Sequence, residues 1–216
     1  MADAAPEEPL GLREQGKRDR LRRIKEAAYD VFSTHGYDEA TTREIAQRAG
    51  VSIGTVFTYA RDKRELLFLV FNEDLDDAID RAYRGIRRDQ PFPEQLIALF
   101  RTFYDYFAGH VTIGRYGMRE IGFFNPHAPN LGLQARRFLD RLERVEGYLA
   151  DLILSARHAG LLAKPGAPGD IGRVLLSVYL IAIRNWIHTD PIDVERGLDD
   201  LRRLFRVVVG DDDRGR

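Results

Sequence analysis

Residues 49–67, AGVSIGTVFTYARDKRELL, decide how the chain is read. The stretch holds two glycines, a serine and three threonine or tyrosine hydroxyls, then turns abruptly to charge. It is too polar for a core and too apolar in its frame for a loop. Its punctuation gives it a place. Upstream, Thr41-Thr42-Arg43-Glu44 reads as a capping box, with Thr41 as N-cap and Glu44 reaching back. A helix over 42–49 follows, with Ile45, Ala46 and Ala49 inward. Gly50 stops it, because a left-handed turn suits glycine. Ser52 is the next N-cap and opens a short helix over 53–60, with Val56 and either Tyr59 or Ala60 packing inward. Asp62 caps a long helix running to about residue 88.

Working outward, residues 18–34 carry Leu21, Ile24, Ala28, Val31 and Phe32 on one helical face, and Gly36 closes that helix. Helix, tight glycine turn, helix, with a supporting helix before and a long one after, is the helix-turn-helix arrangement. Its second helix enters the major groove of DNA. Such a helix needs a small, polar face for close approach. Gly54 lets the backbone near phosphate, while Ser52 and Thr55 add hydroxyls to the amides of a helix N-terminus. Thr55 and Thr58 can bond base edges or meet a thymine methyl. Phe57 and Tyr59 are too large for both to be buried, so one faces outward. Lys63 can neutralise a phosphate. The blander reading makes Ser52, Thr55 and Thr58 ordinary caps and surface residues of a helical hairpin.

Charge is distributed to match. The whole chain has 33 Lys or Arg against 34 Asp or Glu, but residues 11–64 carry 12 against 8. The positive charge gathers at Lys17, Arg18, Arg20, Arg22, Arg23 and Lys25, and again at Arg61, Lys63 and Arg64. A basic module on a near-neutral body suits a nucleic-acid binder with a second task; a solvated helix face is the alternative. The chain has no cysteine, which excludes disulfide scaffolds, thiol nucleophiles and cysteine-ligated metal sites. MADAAPEEPLGL has no apolar signal region. The most apolar run, VLLSVYLIAI, is ten residues and too short to span a bilayer. The expectation is a soluble, cytoplasmic protein with no membrane partner.

Residues 17–67, above all TTREIAQRAGVSIGTVFTYARDKRELL, resemble the DNA-binding domain of the TetR family of bacterial transcriptional regulators. The shared features are the threonine-capped second helix, the Ile-Ala pair, Ala-Gly-Val-Ser at the turn, Gly-Thr before an aromatic stretch, and Lys-x-x-Leu opening the fourth helix. The resemblance implies DNA contacts by Thr42, Ser52, Gly54, Thr55, Phe57, Tyr59 and Lys63, to which the reading above adds Thr58. Phe57 stands where the family commonly has tyrosine, and Ala60 where a larger aromatic is common. Ile53 is apolar at the first turn, which leaves base readout to Thr55 and Thr58.

The fold expected is all-α: an N-terminal three-helix helix-turn-helix domain and a C-terminal helical bundle, about nine helices in total, as a homodimer. The organisation expected is a disordered tail over 1–16, a DNA-binding domain over 17–64, a ligand-binding and dimerisation domain over 65–210, and a disordered tail over 211–216. A short helix is expected near 115–123 within a region broken by glycines. Helices over 170–188 and 191–209 would form the four-helix dimer bundle that the resemblance implies, through Leu175, Val178, Tyr179, Trp186, Leu201 and Phe205; the alternative is that both complete the monomer core. Phe103, Tyr104, Phe107, Phe123, Phe124 and Tyr148 are the candidate lining for a small apolar or aromatic effector, although an aromatic stripe is also plain core. The function expected is a ligand-responsive regulator, a repressor that binds a palindromic operator in double-stranded DNA and is released by its effector, with no cofactor. The rival is a helical enzyme or metal-binding protein built on His110, Glu120 and His127. No HExxH, GxSxG or GxGxxG supports it.

Overall fold

The computed structural model describes residues 11–122 and 125–210. Among the described residues there are nine helices and no strand: α1 (Leu12–His35), α2 (Thr42–Arg48), α3 (Ile53–Phe57), α4 (Lys63–Arg84), α5 (Phe92–Ala108), α6 (Val111–Gly122), α7 (Leu133–His158), α8 (Pro168–Trp186) and α9 (Val194–Val209). The expected tails over 1–10 and 211–216 lie outside the described residues. Residues 12–16, expected to be disordered, are helical. The Gly11 carbonyl accepts from the amides of Glu14 and Gln15 and starts α1 there.

Side-chain caps fix four of the helix starts. Thr41, Ser52, Asp62 and Asp193 each accept from the amide three residues on, and α2, α3, α4 and α9 begin behind them. The capping box forms only in half. Thr41 accepts from the Glu44 amide, but the Glu44 carboxylate turns to the ring of His35 at the end of α1. Gly50 has φ +64°, its amide bonds the Gln47 carbonyl, and the Val51 amide bonds that of Ala46. This is the paired closure of a Schellman turn, and it sets the angle between α2 and α3. α3 ends three residues early, because the Thr58 and Tyr59 amides bond back to Thr55 and Val56 and tighten the last turn.

α6 runs straight through Gly114 and Gly117, which the sequence suggested as breaks. A Cβ at Gly117 would overlap the Phe71 ring, and one at Gly114 would press on Phe107 and Ile187. These glycines allow α6 to approach α4, α5 and the end of α8 closely. The first three helices bury Ile24, Ala28, Val31, Phe32, Ile45 and Val56 together. α4 passes from this cluster into the rest of the molecule with residues 65–72 all buried. Behind it α7 packs on α8, and α9 packs on α5 and α8. Phe100, Phe103, Tyr104, Tyr179 and Phe205 form one aromatic cluster between them. A cis Asp190–Pro191 bond lies in the corner between α8 and α9.

Candidate DNA-binding face, effector region and dimer face

α3 presents an outward face of Ser52, Ile53, Gly54, Phe57 and Thr58, all exposed. Ile53 is 41 % exposed and Phe57 49 %. Val56 on the opposite side is buried, so the one-turn helix is amphipathic in the sense a reading head needs. Of the two aromatics, Phe57 faces outward. Tyr59 is half-buried and its hydroxyl donates to the Lys17 carbonyl at 3.3 Å, tying α3 to α1. The Ser52 and Thr55 hydroxyls lie 2.9 Å apart, and Thr58 donates to the Thr55 carbonyl at 2.7 Å. Gly54 has open space where a Cβ would stand, with only Ser52 Oγ at 3.8 Å. Thr42 occupies the first position of α2, half-exposed. Lys63 reaches back to the α1–α2 turn, donating to the Asp38 carbonyl at 2.8 Å with its ammonium 4.8 Å from the Tyr37 ring. Arg18, Arg23 and Arg43 are exposed around this face.

The α3 face is wired to the rest of the molecule by buried polar groups. Glu65, in the first turn of α4, accepts from the Gln134 and Ala135 amides at 2.9 Å each. It therefore caps the N-terminus of α7 from another helix, where a carboxylate meets the positive end of the helix dipole. The approach is so close that a Cβ at Gly132 would overlap the Glu65 carboxylate. The Gln134 side chain donates to the Tyr59 carbonyl at the end of α3, 3.0 Å away. Asn72 donates to Gln134 and accepts from Arg141 at 2.7 Å. Arg141 is only 3 % exposed; burial pulls its pKa down, while Asp76 at 3.0 Å opposes that shift. A second tie joins α6 to the α1–α2 turn. Arg119 makes a two-pronged bond to Asp38 at 2.7 and 3.0 Å, and that contact holds the Asp38 carboxyl below its ordinary pKa.

The expected effector residues divide. Phe103 and Phe107 line an apolar slot of about 30 Å³ with Phe68, Phe138, Met118 and Leu180, and Arg141 forms part of its wall. Tyr104 and Tyr148 do not join them. Tyr104 is core, packed on Trp186, and Tyr148 stacks on Tyr83 at the outer α4–α7 seam with its hydroxyl on Asp80. Phe123 and Phe124 lie outside the described residues. The slot is narrow because the aromatic stripe of α5 fills it. Residues that sequence reasoning missed here are Phe68, Phe138 and Arg141, which converge from α4 and α7.

The expected dimer residues lie mostly inward. Leu175, Tyr179, Trp186, Leu201 and Phe205 are buried within the protomer. Val178 alone of the six is half-exposed. The outward apolar face of α8 and α9 consists instead of Val174, Ile181, Leu204 and Val207, with Ile181 64 % and Val207 80 % exposed. Helical phase explains the exchange: a helix apolar nearly all round has two apolar faces, and the larger side chains took the inner one.

The rival reading finds no support in the geometry. His110 stacks on Tyr106 and edges onto Tyr29, and His127 is exposed in the α6–α7 loop. Among the described residues no three His, Asp or Glu side chains gather to hold a metal. Nor is any described helix long and apolar enough to cross a membrane.

The family model for bacterial regulatory proteins of the tetR family matches residues 24–70. The fatty acid metabolism regulator protein of Bacillus subtilis is 29 % identical over 93 residues, a match spanning 43 % of this chain and 48 % of that relative. The transcriptional activator FasR of Mycolicibacterium smegmatis is 28 % identical over 198 residues, 88 % of this chain and 85 % of the relative. Among solved structures, Thermus thermophilus FadR, a TetR-family repressor in complex with lauroyl-CoA, superposes with a TM-score of 0.65 at 26 % identity, covering 86 % of this chain and 92 % of that one. These relatives are regulators of transcription and not enzymes. Residues 24–70 of this chain thus match the tetR family of bacterial regulatory proteins, and over most of its length the chain is similar to regulators of transcription.

Proposed function

We propose that the protein is a cytoplasmic homodimeric repressor that binds a palindromic operator and leaves it when an effector with a long apolar chain enters the α4–α5–α7–α8 slot. One observation carries the reading: the outward face of α3 is small, polar and aromatic, and a hydrogen-bonded path connects the Tyr59 carbonyl, just beyond α3, to the slot wall through Gln134 and the buried Asn72 and Arg141. In this reading residues 17–64 form the DNA-binding domain and residues 65–210 the effector and dimerisation domain. Ser52, Gly54, Thr55, Phe57 and Thr58 approach the duplex, Thr42 and Lys63 flank them, and Tyr59 acts chiefly by bracing α3 on α1. Val174, Ile181, Leu204 and Val207, with Val178, meet their counterparts across the two-fold axis. Two recognition helices about one DNA turn apart then read an inverted repeat.

The lauroyl-CoA bound by the Thermus thermophilus relative supports an acyl chain as the effector's apolar part. The slot is small as it stands, so the chain must part Phe103, Phe107 and Phe138 to enter. An effector shifts the equilibrium only by its differential affinity for the opened and closed forms, and a slot that must open supplies that difference. The test is fluorescence anisotropy on a labelled duplex carrying the protein's selected inverted repeat, with lauroyl-CoA titrated in. Release of the duplex is expected; a complex that survives saturating lauroyl-CoA contradicts the effector assignment.

A further inference from the structure

A cavity of about 560 Å³ opens in the corner between the end of α8 and the start of α9. It shares no lining residue with the apolar slot. Its floor is buried: Tyr104 of α5 and Trp186 of α8 are 1 % and 6 % exposed, with ring centroids 4.6 Å apart. Gly197 admits both rings beneath α9, since a Cβ there would overlap each of them. The rim is exposed and carries Asn185, Asp190 and Arg196, with Pro191 and Leu204 as apolar sides. The volume lies within the range of about 300–1,000 Å³ that small-molecule sites occupy.

Some polar groups of this cavity are committed. The Trp186 indole donates to the Asp193 carbonyl at 2.7 Å, the Asp193 carboxylate caps α9 through the Arg196 amide at 3.0 Å, and Asp200 pairs with Arg203 at 2.9 Å. Others are not. The Tyr104 hydroxyl has no hydrogen-bond partner among the described residues, although the residue is almost wholly buried. Nor is it sealed in: among the described residues Gln95 Oε1 is the one enclosed side-chain polar atom without a partner. The hydroxyl is therefore the part of Tyr104 that meets the cavity. Burial and the Asp200 carboxylate push its pKa up, so it stays protonated and can donate as well as accept. A nearly buried hydroxyl without a partner costs free energy that a bound polar group would return. At the rim, the Asp190 carboxylate and the Arg196 guanidinium take part in no ion pair among the described residues.

We infer that this cavity is a second ligand site, for a free amino acid with an aromatic side chain that carries a hydrogen-bonding group. The ring lies on the floor made by Tyr104 and Trp186, its polar group bonds the Tyr104 hydroxyl, and the ammonium and carboxylate face Asp190 and Arg196. Each end of such a ligand answers to a group that the fold leaves unsatisfied. A purely apolar ligand would leave the hydroxyl unpaired, and a simple amine or acid would use one rim charge only. Leu204 also belongs to the outward apolar stripe of α8 and α9, so the ligand sits at the edge of the proposed dimer face.

The experiment is calorimetric titration of the full-length protein with L-tyrosine, L-tryptophan and L-phenylalanine, and with tyramine and tryptamine, which lack the carboxylate. Wild type is compared with Y104F, R196Q and R196E, each checked for helical content and oligomeric state. Y104F keeps the ring on the cavity floor, and Arg196 is exposed, so all three are expected to fold. L-tyrosine or L-tryptophan is expected to bind wild type, and Y104F about fivefold more weakly, while the weaker binding of L-phenylalanine is unchanged by Y104F. R196Q should weaken the amino acid about threefold and R196E further, with the amines unaffected by R196Q. Absence of binding by L-tyrosine and L-tryptophan to wild type overturns the site. Equal affinity of the bound amino acid for wild type, Y104F and R196E also overturns it, by placing the ligand elsewhere in the molecule. Amines that bind as tightly as the amino acids overturn the assignment of the carboxylate to Arg196 and with it the amino-acid class.

Discussion

Gly54 separates folding from DNA binding more cleanly than any other residue of α3. Its Cβ position is open, so G54A makes no close contact, with Ser52 Oγ the nearest atom at 3.8 Å. Alanine is the better helix former by about 0.5–1 kcal/mol, and G54A is expected to match or exceed the wild-type unfolding midpoint. Against DNA the same methyl holds the backbone off the phosphates, so operator affinity should drop. A G54A protein that binds the selected duplex as well as wild type would remove Gly54 from the interface. Gly50 behaves oppositely. Its left-handed φ closes the α2–α3 turn, and G50A is expected to cost about 1–2 kcal/mol in chemical denaturation. The sequence made both glycines legible, because the turn chemistry is local. It did not decide between Phe57 and Tyr59, because that choice depends on α1 offering the Lys17 carbonyl, forty-two residues away in the chain.

At the scale of elements, the junction of α4 and α7 carries the greatest mechanical weight. The Glu65 carboxylate satisfies two buried amides of α7, and removing it strands both. E65A is expected to lower stability by about 3 kcal/mol, since a lost charged partner and unsatisfied buried donors each cost about 1–3 kcal/mol. An unchanged denaturation midpoint would deny Glu65 this role. The Asp38–Arg119 tie is pH-sensitive in a defined direction. The Asp38 pKa is lowered in the folded protein, so the tie's contribution is present above the ordinary carboxylate range and disappears as pH falls through the lowered value. Wild type should therefore exceed D38N in thermal midpoint near neutral pH and converge with it in acid. A gap that persists in acid would assign the difference to something other than this ion pair. None of these inter-helix contacts was visible beforehand. Caps between helices leave no spacing signature, whereas caps within a helix, such as Ser52 and Asp62, announce themselves.

For the whole molecule, the pattern of apolar residues gave the number of helices and most of their limits but not their orientation. Leu175, Tyr179, Leu201 and Phe205 are larger or better placed for the core than Val174, Ile181, Leu204 and Val207, and only the folded arrangement tells the two faces of α8 and α9 apart. The glycines of α6 misled for a related reason: close packing and chain breaking both call for glycine. The proposed dimer face gives a direct consequence. I181E is expected to leave a folded monomer by light scattering, with operator binding lost, because a charge at a covered apolar contact opposes pairing. A dimeric I181E protein would move the interface elsewhere. The α3 face, the outward stripe on α8 and α9, and the hydrogen-bonded path between slot and recognition helix all serve one claim, that two copies read an inverted repeat. Selection of the purified protein against random double-stranded DNA at low salt, followed by sequencing, tests that claim most directly. Enrichment of an inverted repeat with half-sites about one helical turn apart is the expected result; a folded, ligand-stripped dimer that enriches no sequence would contradict it.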